Sequence, residues 1–186
     1  MRTAVLKKEM IAVAEAVDQR LLDYLARLGV SESALARTFI DLPPIGLTMA
    51  QTDRQGGWEP GGNKRYFVQP VHDGRTLIDL VVWRPDEPHR HWLRHGIAWA
   101  LGEAELRAVV SAEPMLHVSA LDWLRAAGRG SVILDWGAPE LSGLIAHRTI
   151  RCATPALATA LSTIIERRIR RPNIIVAPNS SITQKG

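Results

Sequence analysis

The stretch "PHRHWLRHGIAWALG", residues 88–102, places His89, His91 and His95 within seven positions, half of the chain's six histidines. Asp86-Glu87-Pro88 reads as a helix start, with acid at the positive end of the dipole and proline in the first turn. At about 100° per residue, Trp92, Leu93, Gly96, Ile97, Trp99 and Ala100 gather on one side. His91 and His95 lie together on the other, near Ala98 and with Arg94 beside them. Two histidines at i, i+4 can chelate zinc. A His-Glu-x-x-His hydrolase, however, needs its general base directly after the first histidine, and position 92 is Trp. One turn further on, positions 98 and 102 are Ala and Gly, so no third ligand follows. The expectation is a wet, titratable helix face with His91 and His95 exposed and no metal.

Two carboxylates invite a different chemistry. Asp79 interrupts the apolar run "LIDLVVW", and Asp135 ends "VILD", the strand end where α/β proteins often place reactive groups. Converging there, they could hold Mg²⁺ for phosphodiester cleavage. A nuclease with an Asp…Glu-x-Lys arrangement wants a lysine two residues past its acid, and position 81 is Val; position 137, where a primase-type site would carry a second acid, is Gly. The competing expectation is a hydrogen-bonded core Asp79 and a turn or cap Asp135. Cys152 precedes a capped helix, a setting that can activate a thiol. A phosphatase loop needs arginine six residues on, and that residue is Ala158, so a buried inert thiol is expected. "GRGSVI" lacks the last glycine of a nucleophile elbow, and Gly56-Gly57 and Gly61-Gly62 precede no Gly-Lys-Ser/Thr. No sequence motif calls for a cofactor.

The cations are the remaining chemistry. The chain has 19 Arg and 4 Lys against 19 acids, and they are unevenly spread. Residues 1–119 carry a net of −1 and residues 120–186 a net of +5. Arg125, Arg129, Arg148, Arg151, Arg167, Arg168, Arg170 and Arg171 supply that excess. Cations at a helix end complement the dipole without any ligand. Four in five positions exceed that need and make a candidate phosphate-binding surface.

These groups need elements to position them. With 46% hydrophobic and 23% charged residues, the 186-residue chain suits a globular domain with a proper core. Lys7, Lys8, Glu9 and Glu15 interrupt the apolar start, which excludes a signal-peptide core, and no run is long enough for a membrane span. One cysteine excludes an internal disulfide, so the cytoplasm is the default compartment. Residues 4–28 read as one amphipathic helix whose Met10, Ala14, Val17, Leu21, Tyr24 and Leu28 repeat at steps of three and four. Gly29 suits its end and Ser31 caps a second short helix, "ESALARTFI", which stops before Pro43. "LARLGVSESALAR" has the turn of a helix-turn-helix, but the second helix offers one cation, Arg37, and a packed helical hairpin is expected instead.

Residues 43–64 concentrate Gly and Pro without a period and read as a connector. "RYFVQPV" and "RTLIDLVVWRP" follow, joined at Asp73-Gly74, as a β-hairpin whose second strand is covered on both faces. Strand–helix alternation comes next: "MLHV", a Ser119-capped "ALDWLRAAG" with Asp122 reciprocal, "SVILDW", "HRTIRCA", and a Thr154-Pro155-started helix burying Leu157, Leu161, Ile164 and Ile165. "PNIIVAP" reads as a last strand and "NSSITQKG" as a polar tail. The expected fold is α+β, or α/β, with a mixed sheet. Its divisions are a helical arm at 1–42, the 43–64 connector, an α+β domain at 65–178 and a tail at 179–186.

"LIDLVVWRPDEPHRHWLRHGIAWALG" with "LDWLRAAGRGSVILDWG" resembles uncharacterised proteins carried on bacterial prophages and plasmids, over residues 65–176. The resemblance rests on Trp and Gly punctuation, and it implies a mobile-element context but no activity. Three functions follow as expectations. The first is a non-enzymatic accessory protein that binds nucleic acid or a nucleoprotein complex through the C-terminal arginines. The second is an adaptor or inhibitor contacting a host or phage complex through the N-terminal helix and a Trp-rich surface, or pairing as a homodimer through Met10, Val17, Leu21, Tyr24 and Leu28. The third is a metal-dependent enzyme using Asp79 and Asp135.

Overall fold

Residues 2–36, 42–107 and 113–168 are described by the computed structural model. The fold is α+β. Its centre is a five-stranded antiparallel sheet in the order β2-β1-β3-β4-β5, made of β1 (Gly46–Thr52), β2 (Trp58–Pro60), β3 (Lys64–Asp73), β4 (Thr76–Arg84) and β5 (Glu87–Leu93). The β3–β4 hairpin forms where the alternation and the turn residues place it. Phe67 pairs with Trp83, Val68 with Val82, and Asp73 with Thr76 across Gly74, whose φ of +56° suits a residue without a Cβ. β4 has a neighbour on each side and feeds both cores. Val81 and Trp83 face one cluster, Leu80 and Val82 the other.

A bulge decides where Asp79 points. Val71 pairs with Asp79 but His72 with Leu77, which leaves Ile78 as one extra residue on β4. An extra residue flips the alternation and re-aims the side chains beyond it. Leu77 and Leu80 therefore share one core, while Asp79 turns with Val81 and Trp83 toward the other.

Residues 43–64 are not a connector, because they contain β1 and β2. β1 pairs with both β2 and β3; Gly46 and Gly62 serve close approach, while Gly56 and Gly61, at φ +90° and +92°, make turns in open space. A Cβ at Gly46 would stand 2.5 Å from Val13 Cγ2, and one at Gly62 would stand 2.0 Å from the Ala50 carbonyl. Glycine density hid a strand whose backbone is crowded.

The single helix over 4–28 is also corrected. α1 (Arg2–Ala14) and α2 (Gln19–Arg27) are separated at Asp18, an extended N-cap whose carboxylate accepts the Leu21 N–H at 2.9 Å. The two helices cover opposite sheet faces. Leu6 and Met10 of α1 pack with Trp58, Tyr66, Leu80 and Val82. Leu25 of α2 packs with Phe67, Trp83 and Trp123. The described part of the expected 1–42 arm, residues 2–36, therefore packs on the sheet instead of standing off it. α3 (Glu32–Leu35), capped by Ser31, closes the helical hairpin over Val30 and Ala34; residues 37–40 of its expected span lie outside the described residues.

The C-terminal strand–helix units do not join the large sheet. β6 (Ala100–Leu101) pairs antiparallel with β8 (Val132–Ile133), and β7 (Met115–Leu116) pairs parallel with β9 (Arg151–Cys152). Between them lie α4 (Glu103–Arg107), α5 (Ala120–Arg125), a 3-10 helix (Pro139–Ala146) and α6 (Pro155–Arg168). The local caps form as read. Ser119 Oγ accepts the Asp122 N–H and donates to the Asp122 carboxylate, and Thr154 Oγ1 accepts the Leu157 N–H at 3.2 Å. Of the apolar residues on α6, Leu161 is buried, while Leu157, Ile164 and Ile165 are half-buried against the same cluster. The last strand at "PNIIVAP" and the 179–186 tail lie outside the described residues.

Candidate nucleic-acid interface

The histidine stretch is a strand and not a helix. Pro85 and Asp86 make the two-residue turn between Arg84 and Glu87, and residues 87–93 run back along β4 as β5. His91 pairs with Trp83, and Val82 pairs with Trp92, so period two governs these side chains. Gly96, at φ +65°, lies just beyond the strand.

His91 is half-buried, in contrast to the expected exposure. Its Nε2 donates to the Leu134 carbonyl at 2.8 Å, which leaves Nδ1 as the lone-pair nitrogen. His95 and His89 are exposed. Among the described residues no group of three or more His, Cys, Asp or Glu is placed to hold a metal.

A polar cleft of about 900 Å³ opens beside His91, His95 and Asp135, walled by the 53–57 turn. That turn is tied to β5: Leu93 N–H donates to the Gly56 carbonyl at 2.8 Å, and Trp92 Nε1 donates to Asp53 O at 3.2 Å. The charged groups of the cleft are largely engaged. Arg94 binds Glu9 at 3.0 Å and Glu59 at 2.9 Å, and Asp53 Oδ1 accepts the Gln55 and Gly57 N–H groups.

Burial pushes the His91 imidazole below its ordinary range, more strongly than its bond to Leu134 raises it. As pH falls below about 6.5, the unfolded chain takes a proton at position 91 that the folded protein resists, so stability is lost from there downward. His72, lowered by burial, acts with the same sign. His91→Gln, which can keep a donor toward Leu134, is expected to flatten the decline in urea stability below about pH 6.5, leaving the part due to His72. An identical pH profile in the variant would count against this account.

The carboxylates do not form a pair. Asp79 is fully buried, and its two oxygens accept the backbone N–H groups of Leu80, His95, Ile97 and Ala98 at 2.8–3.3 Å. It is an anchor for the 94–98 segment. Asp135 is exposed and caps its own turn through Gly137 N–H at 2.7 Å. This geometry is the expected hydrogen-bonded core Asp79 and turn-capping Asp135, and it leaves Asp79's oxygens occupied by backbone donors instead of free to share a Mg²⁺ with Asp135. Cys152 is half-buried, and burial pushes its thiol up, away from nucleophilic use.

The C-terminal arginines divide into two groups. Arg125 is structural: its Nε donates to the Leu28 carbonyl at 2.6 Å and its Nη1 pairs with Asp122. Arg168 likewise donates to the carbonyls of Ala138 and Trp136. Arg129, Arg148, Arg151 and Arg167 are exposed and have no carboxylate partner among the described residues. Arg170 and Arg171 lie outside the described residues.

The N-terminal interface set is largely internal. Met10 is buried in the core, and Leu21 and Leu28 are half-buried against the other cluster, so Met10 cannot meet a second copy. Tyr24 is the exposed member, at 37%. Sequence reasoning missed a second cleft, this one basic and of about 650 Å³, between α2 and the strand ends, to which Arg20, Arg27, Arg65 and Arg84 contribute. Half of its signal was legible in the i, i+7 spacing of Arg20 and Arg27 on one helix face. The net charge of −1 over residues 1–119 masked it.

No known protein family, curated protein or solved structure matches the chain. No helix among the described residues is long and apolar enough to cross a membrane.

Proposed function

We propose that the protein is a non-enzymatic, nucleic-acid-binding accessory protein of a mobile element. The observation that carries this reading is the set Arg129, Arg148, Arg151 and Arg167: four exposed guanidiniums in one third of the chain, none held by an acid among the described residues. Unpaired surface cations attract a polyanion and release its counterions on contact. Arg125 and Arg168, engaged within the fold, serve stability instead. The enzymatic alternative is left without a metal-binding acid pair, because Asp79 is saturated by backbone donors.

Replacing Arg129, Arg148, Arg151 and Arg167 with Ala is expected to weaken binding to unrelated duplexes alike. Each lost phosphate contact lowers the salt slope by about 0.9, so the slope should flatten by roughly three to four. Thermal stability should hardly change, since exposed charges contribute little. Binding measured at several salt concentrations tests this directly. An unchanged slope in a folded variant would remove the reading.

A further inference from the structure

The basic cleft beside α2 has the chemistry of a phosphate seat. Arg20, Tyr24 and Arg27 lie at i, i+4 and i+7, so they share one face of α2. Across from them stands Arg65 of β3, on the same side of the strand as Phe67 by the two-residue alternation. Arg84 joins at the end of β4 and is held by Asp86. Asp18 also lines the cleft, but it caps its own helix.

Arg20, Arg27 and Arg65 are exposed and have no carboxylate partner among the described residues. The cleft carries Arg20, Arg27, Arg65 and Arg84 against Asp18 and Asp86, an excess of positive charge that favours an anion. A concave site with apolar walls concentrates that field. Leu21, Leu47 and Phe67 supply such walls. Tyr24, with the Arg27 guanidinium 5.7 Å from its ring centre, offers a half-exposed aromatic surface beside the cations.

We infer that this cleft binds a phosphate group attached to an aromatic base, with Arg20, Arg27 and Arg65 on the phosphate and Tyr24 against the base. Guanidinium groups bind phosphate through charge-assisted, often bidentate hydrogen bonds. Stacking of a base on an aromatic ring is tolerant of base identity. The cleft volume of about 650 Å³ is in the range that holds a ligand of nucleotide size. The same chemistry arrives from two sources, a free nucleotide or the phosphorylated end of a single strand. The site shares no residue with the C-terminal arginines, so it stands or falls apart from them.

Calorimetric titration of the full chain tests it. The probes are a nucleoside 5′-monophosphate, the parent nucleoside, inorganic phosphate, and a short single-stranded oligonucleotide with and without a 5′-phosphate. The monophosphate should bind and the nucleoside should bind at least roughly tenfold more weakly, because charge-assisted bonds dominate. Arg20→Ala/Arg65→Ala should weaken the monophosphate by roughly tenfold or more. Tyr24→Ala should weaken the nucleotide but leave inorganic phosphate unaffected. An oligonucleotide that binds only with its 5′-phosphate, and more tightly than the monophosphate, identifies the strand end as the source; the reverse order identifies the free nucleotide. The Arg129/Arg148/Arg151/Arg167 alanine variant should bind the monophosphate as the wild type does, which separates this site from the duplex-binding surface. Failure of every phosphate-bearing probe, or wild-type binding by a folded Arg20→Ala/Arg65→Ala variant, would overturn the inference.

Discussion

Asp79→Ala should cost about 3–5 kcal/mol of stability, because it strips several buried backbone N–H groups of their acceptor at once. Asp79 is 0% exposed, and its carboxylate receives three N–H groups from residues 95–98 besides that of Leu80. Removing it leaves those donors facing an apolar gap, at about 1–3 kcal/mol for each one that finds no water. Native stabilities of about 5–15 kcal/mol leave little margin for such a loss. Asp79→Asn keeps one acceptor oxygen but turns an NH₂ toward an N–H, so it should lie between wild type and alanine. Urea unfolding gives the free energies. Hydrogen exchange at the His95, Ile97 and Ala98 amides reports the local effect, and their protection should fall in Asp79→Asn before global unfolding. A loss below about 1 kcal/mol in Asp79→Ala would refute the anchoring role.

Trp83→Ala is the other large expected effect, again about 3–5 kcal/mol. Trp83 is 0% exposed, stacks on Phe67 with ring centres 4.8 Å apart, and donates from Nε1 to Gln69 Oε1 at 2.8 Å. Alanine empties the space beneath Leu25 and Trp123 in the same cluster and strips the buried Gln69 oxygen of its donor. Trp83→Phe retains a stacking ring and loses the donor, so a cost of about 1–3 kcal/mol is expected. The gap between the two variants measures packing. If denaturant titrations gave both the same loss, the packing account would fail and the hydrogen bond would carry the whole effect.

Both residues sit on the strand that was most legible in the sequence. The β-rich runs on either side of Asp73-Gly74 predict β3 and β4, and the near-continuous apolar run of β4 predicts its cover on both faces, because strand composition and turn chemistry are local properties. Ser31, Ser119 and Thr154 were legible for the same reason: a cap reaches only three residues along the chain. Asp18 carried the same signal, but a continuous three-four apolar stripe obscured it. In 88–102 the apolar residues fit a helical wheel, while Pro85-Asp86 was a turn signal for the strand that forms. Glycine in 43–64 suggested looseness, whereas Gly46 and Gly62 mark close approach to Val13 and Ala50, and Gly56 and Gly61 turn the chain between paired strands.

The sequence by itself therefore determined a fold of helices on a sheet, the central hairpin, the caps and an excess of arginine at the C-terminal end, and the antiparallel pairing of the large sheet made the class α+β. Tertiary structure decided which charges are free. It tied Arg125 to the Leu28 carbonyl and Arg168 to the 136–138 segment, and it closed Asp79 with amides that follow β5. It also brought Arg20 and Arg27 over Arg65, a meeting produced by α2 packing across Phe67 and Leu47. No local period encodes that meeting, because burial of an apolar face fixes it between segments far apart in the chain.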